Sequence, residues 1–177
     1  MEINGLASRR FRRGASILPS ILTTGNLFFG FWAIVRTIHG DFTGAAIWIV
    51  VAGLLDVFDG RIARLTGTAS EFGGELDSLA DAISFGVAPA LLIYRWGIAA
   101  LPRAGWLIAF FFVVCGVMRL ARFNVQRHVV DGRYFVGLPI PAAAGQLAAV
   151  VLFLVEPFGG RVAALVTGAV TLCLSLL

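Results

Sequence analysis

Apolar residues in this chain fall in long runs separated by short polar breaks. The runs cover about residues 17–35, 42–58, 82–99, 104–118, 136–155 and 162–177. The breaks are His39-Gly40-Asp41, the 59–81 segment, Leu101-Pro102-Arg103, the 119–135 segment and Glu156-Pro157-Phe158-Gly159-Gly160. At about 1.5 Å of rise per residue, such runs approach the ~30 Å hydrocarbon core of a bilayer. The pattern predicts an all-α integral membrane bundle of six transmembrane helices, the last of them short. No repeat, low-complexity tract or linker interrupts it, so residues 1–177 read as a single membrane-embedded domain.

Composition agrees. Apolar residues make up 59% of the chain and charged ones 14%, with a mean hydropathy of +0.90. A soluble domain carries about 45–50% apolar and about 25% charged residues, so disorder and an ordinary soluble fold are excluded. All 14 basic residues are Arg, and the net charge is +4. They lie between apolar runs rather than on one polar face, which suits flanks of membrane spans and not nucleic acid.

The Arg distribution sets a topology. Residues 1–15 form a basic N-terminus with Arg9, Arg10, Arg12 and Arg13. The run that follows is too long for a signal peptide, and no small-residue cleavage site follows it. With the N-terminus cytoplasmic, ten Arg fall inside: those four, Arg61, Arg64, Arg119, Arg122, Arg127 and Arg133. Only Arg36, Arg95, Arg103 and Arg161 fall on the other side. The positive-inside rule favours this orientation, in a cell (inner) membrane with the 59–81 and 119–135 segments cytoplasmic. Cys115 and Cys173 lie inside apolar runs and read as buried small hydrophobes. His39 and His128 have no metal-site spacing.

Six of the ten acids fall within 26 residues: Asp56, Asp59, Glu71, Glu75, Asp77 and Asp81. A carboxylate at membrane depth is costly, about 2.5–3.5 kcal/mol at a helix centre, and faces a partner or a cavity. On a helix, Asp56, Asp59, Gly60 and Ala63 share one face, and Gly73, Asp77, Asp81 and Ser84 share another. Two such helices facing each other offer four carboxylates over a floor of small residues. Unpaired carboxylates repel, and oxygen-only ligands favour hard divalent ions such as Mg²⁺, Mn²⁺ or Ca²⁺. Two such ions would hold a diphosphate, and Arg61 and Arg64 would add charge to its phosphates. Two other readings stand beside this one. The acids would form salt bridges to interfacial Arg, or line the pathway of a cation-coupled transporter. Their clustering near one interface and the lack of inverted repeats fit a transporter less well.

The stretch also matches a motif. Asp56, Asp59, Gly60, Ala63, Arg64, Gly73, Asp77 and Asp81 stand as D-x2-D-G-x2-A-R-x8-G-x3-D-x3-D. This spacing resembles the signature of the CDP-alcohol phosphotransferases, and the six-span pattern is similar to their fold. LPSILTTGNLFFGFWAI (18–34), LDSLADAISFGVAPA (76–90), RLARFNV (119–125) and YFVGLPIPAAA (134–144) look like the branch that uses CDP-diacylglycerol and L-serine. Archaeal relatives with an ether-lipid donor share these strings.

The resemblance implies two divalent cations, Mg²⁺ or Mn²⁺, held by Asp56, Asp59, Asp77 and Asp81. Asp81 would also be the general base for the acceptor hydroxyl. It implies Gly60, Ala63, Arg64 and Gly73 at the CDP-lipid site, and a homodimer in the bilayer. Glycerol 3-phosphate or an inositol compound stays open as acceptor. Asn26, inside the first span, is a candidate nucleotide contact or an interhelical hydrogen bond. Arg119 and Arg122 are candidate acceptor or lipid-phosphate contacts, or Arg that meet headgroups. Arg127 and Arg133 read as flanks. Leu138-Pro139-Ile140-Pro141 would shape the acceptor pocket or start a helix. Phe110, Phe111, Phe112, Trp32, Trp48, Trp96 and Trp106 read as lipid-facing or interfacial.

Overall fold

The computed structural model describes residues 3–66, 71–101, 103–127, 138–154 and 161–176, with side chains at 21–62, 72–101, 103–125, 138–154 and 162–176. Helix α1 runs Ile3–Ile38 and α2 runs Phe42–Thr66. The turn between them is tight because Gly40 takes a φ of +82°, which a residue without Cβ adopts without strain. Asp41 then caps α2, its Oδ1 accepting the Gly44 N–H at 2.8 Å. Its other oxygen pairs with Arg36 at 2.6 Å. The two helices therefore return antiparallel and share the most extensive interface among the described elements.

That interface is built on small residues. Among its described side chains, the buried positions of α1 are Thr23, Asn26, Gly30, Ala33 and Thr37, alternating three and four apart. The corresponding row of α2 is Ala45, Ile49, Ala52, half-buried Asp56 and Asp59. Lipid tails are as apolar as leucine, so helices in a bilayer associate through close packing and hydrogen bonds, which small residues permit. Phe29 of α1 stacks on Trp48 of α2, ring centroids 4.9 Å apart.

The third rod is continuous from 71 to 98. It comprises α3 (Glu71–Asp81), a π-helical segment (Ala82–Val87), α4 (Ala88–Ile93) and a second π-helical segment (Tyr94–Ile98). The first widened turn has a local cause. Pro89 has no N–H, and its ring needs room against the preceding turn. The Ala88 N–H reaches back to the Ile83 carbonyl, and the wider turn accommodates the ring. This rod occupies the middle of the bundle, against α1, α2, α5 (Ala104–Arg127), α6 (Ile140–Leu154) and α7 (Arg161–Leu176).

The fold is all-α: six helical rods, with no strand among the described residues. Ile21–Ile38, Phe42–Ile62, Phe72–Ile98 and Ala104–Val125 are long and apolar enough to cross a membrane. The apolar helices α6 and α7 are shorter, 15 and 16 residues. The third span starts earlier than the hydropathy run at 82, because Asp81 turns inward to Asn26 and the helix runs on through it without a break. Trp32, Trp106, Phe110 and Phe111 face outward as expected. Trp96 and Phe112 do not: they are 3% and 2% exposed. Trp96 sits on the central rod, and Phe112 lies on the α5 face in the same core cluster. Cys115 is half-buried and Cys173 is exposed, so Cys173 faces out of the bundle rather than into it.

Candidate active site

The packing stripes carry the acids inward. Asp56 and Asp59 continue the α2 row that begins with Ala45, and Asp77 and Asp81 lie one turn apart on α3. Carboxylate oxygens of Asp56, Asp77 and Asp81 all lie within 4.8 Å of one another. Asp81 is buried, and Asp56 and Asp77 are half-buried. Asp59, the fourth expected acid, turns toward α1. Its Oδ2 accepts the Thr23 hydroxyl, and its Oδ1 is buried without a hydrogen-bond partner.

Helix α1 braces the same site. The Asn26 Nδ2 donates to Asp81 Oδ1 at 3.1 Å, and Asn26 is 1% exposed. Its side chain thus makes the interhelical hydrogen bond, and the partner is an acid of the cluster. The Ser84 hydroxyl donates to the Asn26 carbonyl at 3.1 Å. A Cβ on Gly30 would lie 2.7 Å from the Ser84 Cα. Helix α1 therefore rests directly on the first π-helical segment, immediately after Asp81.

Beside Asp81 opens a cavity of about 150 Å³, lined otherwise by Arg119, Leu120, Phe123, Pro139, Ile140 and Pro141. Helix α5 continues past its apolar run, so Arg119 and Arg122 are both helical. They differ in place. The Arg119 guanidinium donates to the Leu138 carbonyl and, at 3.4 Å, to the Ser175 carbonyl. Arg122 is exposed. The Pro139 carbonyl accepts the Ala142 and Ala143 N–H groups at 3.0 and 3.1 Å, so the two prolines both start α6 and wall the cavity. Gly60 is exposed on α2 and Gly73 half-buried on α3. The side chains of Ala63, Arg64 and Arg127, and all of Arg133, lie outside the described residues.

Thr23, Ser78 and Asn124 were given no role from the sequence, and Ser84 was placed only on the face of Asp77 and Asp81. Thr23 carried a signal, since it stands three residues before Asn26 on one helical face. The others are ordinary hydroxyl and amide residues until the fold brings them together.

Three carboxylates this close repel unless a cation joins them. Among the described residues no Arg ion-pairs with Asp56, Asp59 or Asp81, so the salt-bridge reading has no support at those three positions. Together with the unpartnered Asp59 oxygen, this all-oxygen donor set fits Mg²⁺ or Mn²⁺.

Residues 16–176 match the family model described as CDP-alcohol phosphatidyltransferase. The chain belongs to the CDP-alcohol phosphatidyltransferase family. Within it, the chain is 46% identical over 129 residues to a CDP-diacylglycerol–serine O-phosphatidyltransferase of Helicobacter pylori, covering 72% of this chain and 54% of that protein. It is 36% identical over 140 residues to a Bacillus subtilis protein of the same name, covering 79% and 77%. It is 43% identical over 129 residues to an archaetidylserine synthase of Methanothermobacter thermautotrophicus, covering 72% and 54%. The chain thus spans about half the length of several curated relatives it matches. All three acids of the carboxylate group lie within the matched residues.

Proposed function

We propose that this chain transfers a phosphatidyl group from CDP-diacylglycerol to the hydroxyl of L-serine, giving phosphatidylserine and CMP. One observation carries the reading: the three-carboxylate group stands on the family motif, within a bundle that puts it beside a small cavity. Asp56, Asp59, Asp77 and Asp81 would hold two divalent cations, Mg²⁺ or Mn²⁺. When bound, these supply positive charge to the diphosphate and to the charge that develops on it.

The protein's own groups do the rest. Asp81 takes the proton of the serine hydroxyl, a step worth about 10²–10⁴-fold. The serine oxygen bonds to the phosphorus that bears the lipid, the bond from that phosphorus to the bridging oxygen breaks, and CMP departs with the electron pair. The Asn26 amide fixes the Asp81 carboxylate so that one oxygen stays directed for this proton. Gly60, Ala63, Arg64 and Gly73 would bind the CDP end. The cavity takes serine, with Arg119 on its wall, and the exposed Arg122, three residues further along α5, meets the headgroups. Positioning supplies much of the remaining rate. The Arg distribution supports a site on the cytoplasmic face of the inner membrane, and the working form is a homodimer.

The test is CMP release by the purified chain with CDP-diacylglycerol and Mg²⁺ or Mn²⁺, with serine, glycerol 3-phosphate, inositol and inositol phosphate in parallel. Release with serine alone supports the reading. Release with another acceptor overturns the acceptor assignment and keeps the chemistry. No release in folded protein reopens the transporter reading. An ether-lipid donor in the same assay decides between phosphatidyl and archaetidyl transfer.

A further inference from the structure

We infer that Asn124 is a positioning residue for the acids of the site, acting through Ser78 on the helix that carries Asp77 and Asp81. The inference rests on the phosphatidyl-transfer reading above. The Asn124 Nδ2 donates to the Ser78 Oγ at 2.8 Å. The Ser78 hydroxyl in turn donates to the Gly74 carbonyl at 2.9 Å. The serine oxygen accepts one bond and gives the other, so both can exist at once. The chain of bonds runs from α5 to the backbone of α3, and Ser78 is the residue next to Asp77.

Helix α3 opens the rod that runs from 71 to 98, and it packs mainly on α1 and on the π-helical segment that follows. Those surfaces brace the Asp81 end through Asn26 and Ser84. Asn124 reaches α3 at Ser78, one residue from Asp77, and adds a hold on the rotation of the helix there. Asp77 must meet Asp56, which stands on α2. A small rotation of α3 would part the two carboxylates. Phe123, next to Asn124, lines the cavity beside Asp81, so the same turn of α5 would set both the acids and the wall facing them. Supporting groups of this kind typically change metal affinity or activity by about 10–100-fold.

The experiment uses the full chain in detergent, with Asn124→Ala, Ser78→Ala, the double variant and Ser78→Thr, which keeps the hydroxyl. Mn²⁺ binding is read from the electron paramagnetic resonance of free Mn²⁺, and serine KM from CMP release. Each single variant should weaken Mn²⁺ binding about 10-fold, with the serine KM within about 2-fold of wild type. The double variant should be no worse than either single one, because both remove the same tie. Ser78→Thr should restore binding. Where Asn124→Ala does not fold, Ser78→Ala against Ser78→Thr makes the same comparison. Unchanged Mn²⁺ binding with a raised serine KM would overturn the inference and make Asn124 an acceptor contact. Losses that add in the double variant would overturn it as well. A wild-type chain that binds no Mn²⁺ overturns the metal reading, and this inference with it.

Discussion

Substituting Gly30 by Ala adds one methyl group where two backbones meet. That carbon would lie 2.7 Å from both the Cα and the Cβ of Ser84, whereas ordinary contacts fall at 3.4–4 Å. Backbone cannot swing aside, so α1 must retreat from the π-helical segment by roughly 1 Å. The Asn26–Asp81 bond, now 3.1 Å, would stretch to about 4 Å and cease to be a hydrogen bond. The Ser84–Asn26 bond would be lost with it. Overpacking of this kind costs about 1–3 kcal/mol, against the gain of up to about 1 kcal/mol that Ala normally brings to a helix. A catalytic group misplaced by about 1 Å costs on the order of 10²-fold in rate. Gly30→Ala should therefore lower the melting temperature and cut CMP release about 100-fold. Gly25→Ala, on the same helix, is the control: its added carbon meets only Leu55 Cδ1 at 3.6 Å, and activity should hold. A Gly30→Ala protein with turnover within about 3-fold of wild type would refute the claim that this close approach sets the position of Asp81.

Four other outcomes are expected. Asp81→Asn should abolish CMP release while keeping CDP-lipid binding, measured by isothermal titration; near-normal release would remove Asp81 as base. Asn26→Ala should lower kcat about 10–100-fold with little change in the serine KM; a shift in the CDP-lipid KM alone would make Asn26 a nucleotide contact instead. Removing metal with EDTA should stop release, and adding Mn²⁺ or Mg²⁺ should restore it; activity that survives thorough chelation would contradict the carboxylate assignment. Asp41→Ala should cost about 1 kcal/mol of stability through the lost α2 cap, more than Arg36→Ala, whose partly exposed pair contributes about 0–1 kcal/mol. Equal losses would mean that the ion pair, not the cap, holds the turn.

The sequence made the acids legible because their spacing is itself geometry. Positions three or four apart on a helix share a face, so Asp56 with Asp59 and Asp77 with Asp81 were paired before any fold was known. The six rods were legible for a similar reason, since runs of apolar residues near bilayer length leave few alternatives. The tertiary partners were not. Thr23 shares a helical face with Asn26, yet its partner Asp59 is set only once α1 lies on α2. Arg119 read as a ligand for an anion, yet it donates to the carbonyls of Leu138 and Ser175. Every residue has a carbonyl, so no pattern marks those two. The start of the third span was misplaced because hydropathy treats a carboxylate as a break, whereas Asp81 is buried at 8% exposure with Asn26 as partner. Trp96 was misplaced because a tryptophan in a span suits the interface or the core equally well until its neighbours are known.

The central claim is that the carboxylate group joins serine to a lipid phosphate. The most direct test gives the purified chain CDP-diacylglycerol, Mn²⁺ and serine labelled with carbon-13, then looks for the product lipid by mass spectrometry. The account predicts phosphatidylserine carrying all the serine label, in amounts equal to the CMP released, and none from the Asp81→Asn protein. Release of CMP with phosphatidic acid as the lipid product, and no labelled phosphatidylserine, would contradict it.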